Sequence, residues 1–321
     1  MSHTPEEDEM RRVWALVPFV LVAVALVLDP ATARAAWWNL AVQAVLFTLL
    51  AAVPGHLTRH VSYVDVAWPW GLVGIGVVTL ATAGELTATT VAVALVYLAM
   101  GGRMGLWSLA MTVRHGWWKP GSPKAELPRY QYQRRRWERQ GFRNEAVSVQ
   151  YEIWLQGLAN ASVLAVPAFL VAAGQRPLSA WSVAALALWF ASYVLETVAD
   201  RQKQRFAARG NRATCDQGLW RHSRHPNYFF QWMQWNALVL VALPALPARF
   251  HDTSLVVWVL LTAGLFFVSW TLYVTLTKHT GARPAEYYSL RKRPDYARYQ
   301  ATTNMFFPGP VKTPAGNQDA A

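Results

Sequence analysis

Residues Ser254 to Leu276 read SLVVWVLLTAGLFFVSWTLYVTL, a run without one charged side chain. At about 1.5 Å per residue it can cross roughly 30 Å of hydrocarbon, and a helix that is apolar all round needs lipid or a deep core around it. Working outward, seven further runs of the same character appear: Val13–Leu28, Trp37–Val53, Val64–Ala83, Leu86–Gly102, Val147–Ala173, Leu178–Thr197 and Tyr228–Leu246. Together they predict an all-α fold, a polytopic transmembrane helical bundle of about eight spans. Composition agrees, since 321 residues that are 54% hydrophobic and carry 17 Trp are too apolar for one soluble core.

The first run could be the apolar part of a signal peptide, because ATARAA after Pro30 resembles a cleavage site. The acidic leader EEDE and the spans that follow favour an uncleaved anchor instead. A lone cysteine, Cys215, excludes an internal disulfide.

Basic residues fix the expected orientation. Of the 30 Lys and Arg, only Arg34, Arg176 and Arg249 fall in one set of loops; the remaining 27 lie in the other set and at the two ends. Both termini and the long loops Arg103–Ala146 and Arg201–Asn227 are therefore expected on the cytoplasmic side, with anionic lipid headgroups as partners. No soluble nucleic-acid-binding motif appears, so nucleic acid is not an expected partner. The arginines of QYQRRRWERQ, with Trp137, predict a helix anchored at headgroup level. PGSPK at Pro120–Lys124 reads as a turn, and TPAGNQDAA at the end as a disordered tail.

Carboxylates in or beside apolar spans are costly and mark function or pairing. Four stand out: Asp65, Glu152, Glu196 and Asp200. Glu196, Asp200 and Lys203 follow helical spacing and share one face, for which a helix-end ion pair is the plain alternative. Glu152 and Gln156 are likewise one turn apart.

A short loop then leads to RHSRHPNYFFQW, Arg221–Trp232. Pro226 suits the first turn of a helix, which puts unpaired N–H groups and a positive dipole end beside Arg221, Arg224 and His225. That is chemistry for an anion, and a phosphate is the expected guest. Asn227 adds an amide; Tyr228, Phe229 and Trp232 add flat faces for a ring. His222 and His225 are three apart but sit in a cationic setting, so no metal is expected.

These motifs carry a family likeness. ETVADRQKQRF with CDQGLWRHSRHPNYF, the tail EYYSLRKRPDYARYQATTNMFFPGP, and the shorter pieces YVDVAW, LWSLAMTVR, EIWLQGL and ELPRY occur in order from about Asp65 to Pro308. The chain resembles the DUF1295 group of bacterial membrane proteins, relatives of steroid 5-alpha-reductases and more distantly of sterol C14-reductases and isoprenylcysteine methyltransferases. The resemblance implies an N-terminal two-helix extension over 1–63, a steroid-reductase-like membrane domain over 64–312, and a tail over 313–321, in a bacterial inner membrane. It implies an NADPH-dependent reductase that delivers hydride to a carbon–carbon double bond conjugated to a carbonyl in a lipophilic steroid- or isoprenoid-like substrate. Carried over by position, Asp200, Arg224, His225, Asn227 and Tyr228 belong to the cofactor pocket, with Arg221 beside them, and Glu196, Lys203 and Gln231 join it. In the tail, Tyr296 and Arg293 close over the nucleotide.

The glycines of GLVGIG, Gly71–Gly76, lie inside a span and read as helix packing, not as a dinucleotide fingerprint. Two departures from the family pattern stand out. Phe230 and Gln231 occupy positions where relatives carry Gly and Glu, and Leu127 replaces an aspartate before Pro128-Arg129-Tyr130. Tyr63, Asp65 and Tyr130 are the candidate acids that would polarise the carbonyl, Glu152 with Gln156 being the competing polar pair. Two other classes stay open: an S-adenosylmethionine-dependent lipid or isoprenylcysteine methyltransferase, which shares the Arg-His-Pro element and a tail glutamate, Glu286, and a non-catalytic membrane protein.

Overall fold

The computed structural model describes residues 5–116, 126–142, 144–210 and 213–312. Among them there is no strand. The chain runs through α1 (Pro5–Leu28), α2 (Ala33–Phe47), a π-helical turn at Thr48–Ala52, α3 (Val53–Thr58), α4 (Val64–Thr82), α5 (Ala88–His115), α6 (Pro128–Arg139) and α7 (Glu145–Ala161). It continues through α8 (Val166–Gly174), α9 (Ala180–Ala208), α10 (Pro226–Ala242), α11 (Ala245–Arg249), α12 (Leu255–Val274), α13 (Ala282–Lys292) and α14 (Tyr296–Thr302). The Pro120–Lys124 turn and the 313–321 tail lie outside the described residues.

Seven helical stretches are long and apolar enough to cross a membrane. They correspond to every expected span but Tyr228–Leu246. That run divides into the 17-residue α10, a two-residue turn and the short α11, because Pro244 and Pro247 break its far end. Where the solvent is lipid, the outer face stays apolar: Phe266 and Trp270 on α12 and Leu106 and Trp107 on α5 are all exposed.

Helix starts follow local chemistry. Thr87 accepts from the N–H of Thr90 to cap α5, and Asn144 Oδ1 accepts from Val147 to cap α7. The left-handed Gly116, φ 58°, ends α5.

The described helices form two compact units. The first comprises residues 1–183 and 238–268 and is built on α4, which packs along α5, α2 and α7. Small residues allow this: a side chain on Gly76 would meet Ala94 O at 2.9 Å. Gly71 faces instead a cluster of carboxamides. Gln43 on α2 donates to Gly71 O, Asn160 on α7 donates to Trp68 O, and Asn39 donates to the carbonyls of Asn160 and Ala161. Those last two carbonyls end α7, where Ser162 turns out of helical geometry and Ala165 N turns to Ser162 O, so Asn39 supplies donors for them inside an apolar segment. On the same unit Arg249 Nη2 pairs with the fully buried Asp29 at 2.5 Å, and Trp181 Nε1 donates to Leu240 O at 2.7 Å.

Trp137 departs from expectation. It is 5% exposed and sits in the cluster of Phe47, Val61, Tyr63, Val149 and Ile153, so it anchors α6 to the protein rather than to headgroups. Burial of that indole outweighs its preference for an interface, because α6 carries only three buried side chains to hold it down.

The second unit comprises 184–237 and 269–321 and contains nearly all of α9, most of α10 and the C-terminal segment.

Candidate functional site

The candidate residues fall into one cluster in each unit. In the first unit, the segments SYVD and ELPRY are stitched together twice. Glu126 accepts from the N–H of Ser62 at 2.8 Å and from its hydroxyl at 3.0 Å, while Ser62 Oγ accepts from Leu127 N. One turn along α6, Tyr130 donates its hydroxyl to Asp65 Oδ1 at 2.6 Å, and Arg129 pairs with Asp65 Oδ2 at 3.0 Å. Leu127, in the place of the expected aspartate, packs against the cluster that also holds Tyr63 and Tyr130.

Asp65 is thus a clamp between two residues of α6, and Tyr130 is almost wholly buried. Burial first, then the neighbouring Asp65 charge, hold the Tyr130 phenol well above its usual pKa against the opposing Arg129. It remains a protonated donor oriented by a carboxylate. Tyr63, the third candidate acid, is buried at the start of α4, where its carbonyl accepts from Val66 and Ala67. Glu152 and Gln156 are in contact at 3.4 Å, one turn apart as their spacing predicts.

In the second unit, the shared face of α9 is used rung by rung. Glu196 accepts from Gln234 Nε2 at 2.8 Å, Asp200 from Asn227 Nδ2 at 3.1 Å, and Lys203 lies 4.1 Å from the centre of the Trp220 ring. The two carboxylates are therefore bound to carboxamides of α10, which makes this face of α9 a seam between helices. Trp220 Nε1 donates to Ala199 O, and Gln202 Oε1 accepts from Leu219 N, which docks the 218–221 turn on α9. Gly218, with φ 58° and Gln202 only 2.6 Å from where a Cβ would stand, makes that docking possible.

The helix start at Pro226 is as the sequence predicts. Its cations are arranged otherwise. Arg224 turns to Glu286 of α13, with Nε at 2.6 Å and Nη2 at 3.3 Å from the carboxylate, and donates through Nη1 to the carbonyls of Gln300 and Thr303. His225 Nε2 lies 3.1 Å from the same carboxylate, and its ring stacks on Tyr228 at 5.3 Å. Arginine and histidine that the sequence assigns to an anion of the ligand have found an anion of the protein. Glu286, already in the chain, is a partly buried carboxylate whose charge needs them both.

Burial lowers the pKa of His225, opposed by the hydrogen bond to Glu286. Arg221 is exposed and lines a cleft of about 150 Å³ with Thr214, Asp216, Asp295 and Arg298. Tyr296 is buried at the start of α14, Arg293 is half-buried after α13, and Gln231 is half-buried on α10. Asn227 Oδ1 is buried and has no hydrogen-bond partner among the described residues.

Three residues of this cluster escape a reading of the sequence. Gln234 is buried at 1% exposure and lies two turns beyond Asn227 on α10, so helical spacing alone could have found it. Gln202 and Asp295 carry no such signal; Asp295 accepts from both the N–H and the hydroxyl of Thr214, a contact that closes across the sequence.

The fold defines the class: an integral membrane protein of polytopic helical type, its apolar helices in contact with lipid. Residues 51–303 match the sequence model of the family described as protein of unknown function (DUF1295), and the chain belongs to that family. No curated protein and no solved structure matches the chain.

Proposed function

We propose that this protein is an NADPH-dependent membrane reductase acting on a carbon–carbon double bond conjugated to a carbonyl in a lipophilic, steroid- or isoprenoid-like substrate. The observation that carries the reading is the Tyr130–Asp65–Arg129 arrangement: a buried neutral phenol held by a carboxylate that is itself held by a guanidinium. Such a phenol suits a carbonyl oxygen that gains negative charge as its conjugated double bond is reduced. Asp65 fixes the tyrosine ring, keeps its hydroxyl hydrogen available, and through Arg129 avoids a bare buried charge.

On this reading NADPH supplies the hydride. The orphaned Asn227 Oδ1 suits an amide or hydroxyl donor of the nucleotide, with Asp200 setting the orientation of the amide. The exposed Arg221 suits its phosphates. Arg224 and His225 do not fit direct contact with it, because Glu286 holds both.

The same proposal puts both termini and the cofactor residues on the cytoplasmic side of a bacterial inner membrane, by the distribution of Lys and Arg. That orientation needs an even number of crossings, so α10 with α11 must be the eighth. At 17 residues α10 is about 25 Å long, short but tolerable for a thin or locally adapted bilayer. The Asp29–Arg249 pair supports it by holding the end of α11 beside the α1–α2 turn, both on the sparsely basic side.

The test is a screen of purified protein in lipid nanodiscs for NADPH oxidation with enone steroids and polyprenyl carbonyls. Turnover that is lost in Tyr130→Phe with NADPH binding retained supports the proposal. Binding of S-adenosylmethionine without NADPH overturns it in favour of a methyltransferase, and binding of neither favours a non-catalytic role.

A further inference from the structure

We propose that Arg224 is a latch that pins the C-terminal segment, residues 282–312, across the Gly218–Phe229 segment, and that it serves ligand binding only by positioning. The first argument is a donor census. A guanidinium has five N–H groups, and here four contacts are made, two to Glu286 and two to the carbonyls of Gln300 and Thr303. All four acceptors belong to the C-terminal segment. Little of the fork is left for a phosphate.

The second argument is what surrounds the latch. The two segments are sewn together around it: Arg224 N donates to Asn304 O at 2.9 Å, Gly309 N to His222 O at 3.0 Å, and the Ser223 hydroxyl to Phe306 O at 2.8 Å. Tyr299 donates its hydroxyl to Trp220 O. Gln300 adds a bond from its amide to Glu286 at 2.7 Å. Phe306 and Phe307 then close against Phe229 and Trp232 with ring centres 5.8–6.1 Å apart. Arg224 and Glu286 form the charged pair through which α13, α14 and the 218–229 segment meet. Removing it would leave Glu286 with His225 and Gln300 alone and unpin two carbonyls.

The third argument gives the experiment. Thr214 is bonded twice to Asp295 of the C-terminal segment, and its neighbour Cys215 is buried. Cys215 is also the chain's single cysteine. Its labelling rate therefore reports release of the segment, with no ligand needed.

Thiol labelling of Cys215 would be followed in nanodisc-reconstituted wild type, Glu286→Gln, Arg224→Gln and the double variant. Loss of a charge-assisted latch predicts labelling roughly tenfold faster or more in either single variant, and no further gain in the double. Labelling of Glu286→Gln at the wild-type rate overturns the proposal, and this near-isosteric variant carries the test if Arg224→Gln does not fold. A second arm rests on the NADPH reading and has opposite signs for the two roles. As a ligand contact, Arg224 would be freed by Glu286→Gln and bind NADPH more tightly; as a latch, it predicts weaker binding with an unchanged salt slope. Tighter binding overturns the latch. If wild type binds no NADPH, the functional reading fails and labelling alone judges the latch.

Discussion

Asp29 and Arg249 form the pair whose removal has the most calculable effect. Asp29 is fully buried and the Arg249 side chain 8% exposed, with 2.5 Å between Oδ1 and Nη2. The carboxylate keeps a share of one further donor, Thr32 Oγ1 at 3.1 Å, whose single proton also faces Leu26 O at 2.7 Å, so Arg249→Met does not strip it entirely bare. Breaking a buried pair by deleting one partner costs about 3–5 kcal/mol, and the remaining hydroxyl argues for the lower end, ~3 kcal/mol. For a domain of this size each kcal/mol moves the melting temperature by about 2–4 °C, which makes the expected loss roughly 6–12 °C. Thermal unfolding of nanodisc-embedded protein, followed by tryptophan fluorescence, would measure it. Asp29→Asn combined with Arg249→Met removes both charges at nearly constant volume and should recover at least half of that loss. A single variant that melts within about 2 °C of wild type, or a double variant no better than the single, would refute the argument that an uncompensated charge is what destabilises.

Tyr130→Phe should lower turnover by about 10²–10⁴-fold while leaving NADPH affinity within a factor of about two, read as kcat against Kd. Gly71→Ala places a methyl 2.1 Å from Asn160 Nδ2 and 2.4 Å from Gln43 Oε1, and should cost about 1–3 kcal/mol, seen as a lower melting temperature. His225 gives a pH dependence. Its folded pKa lies below the unfolded value of about 6.5, so the unfolded chain binds more protons just under that pH and stability falls as pH drops through 6.5 toward the folded pKa. Melting temperatures between pH 7 and pH 5 should show this slope, and it should be smaller in His225→Gln.

How much of this could be read from the sequence depends on whether a residue's partner is near it along the chain. Seven of the eight expected spans, the start of α10 at Pro226, the face shared by Glu196, Asp200 and Lys203, and the packing role of Gly71–Gly76 are set by hydropathy, by proline's missing N–H and by the 3.6-residue period. Each is a local rule, and each is legible. Trp137 shows the limit: an aromatic beside arginines reads the same whether it faces headgroups or a protein core, and only packing chose the core.

Arg224 shows it more sharply. Its charge, its place before a helix and its motif all announce an anion, and the sequence identifies the kind of partner correctly. Which anion it meets was decided by tertiary structure, because Glu286 lies 62 residues away and reaches it only when α13 folds back. The Tyr130–Asp65 bond, across 65 residues, and the Asp29–Arg249 pair, across 220, are of the same kind. Sequence alone determined that this chain crosses a membrane and carries concentrated charge beside its apolar helices, since transfer free energy and helix periodicity act residue by residue. The pairing of those charges belongs to the fold, since electrostatic attraction depends on distance in space and the chain does not record that distance.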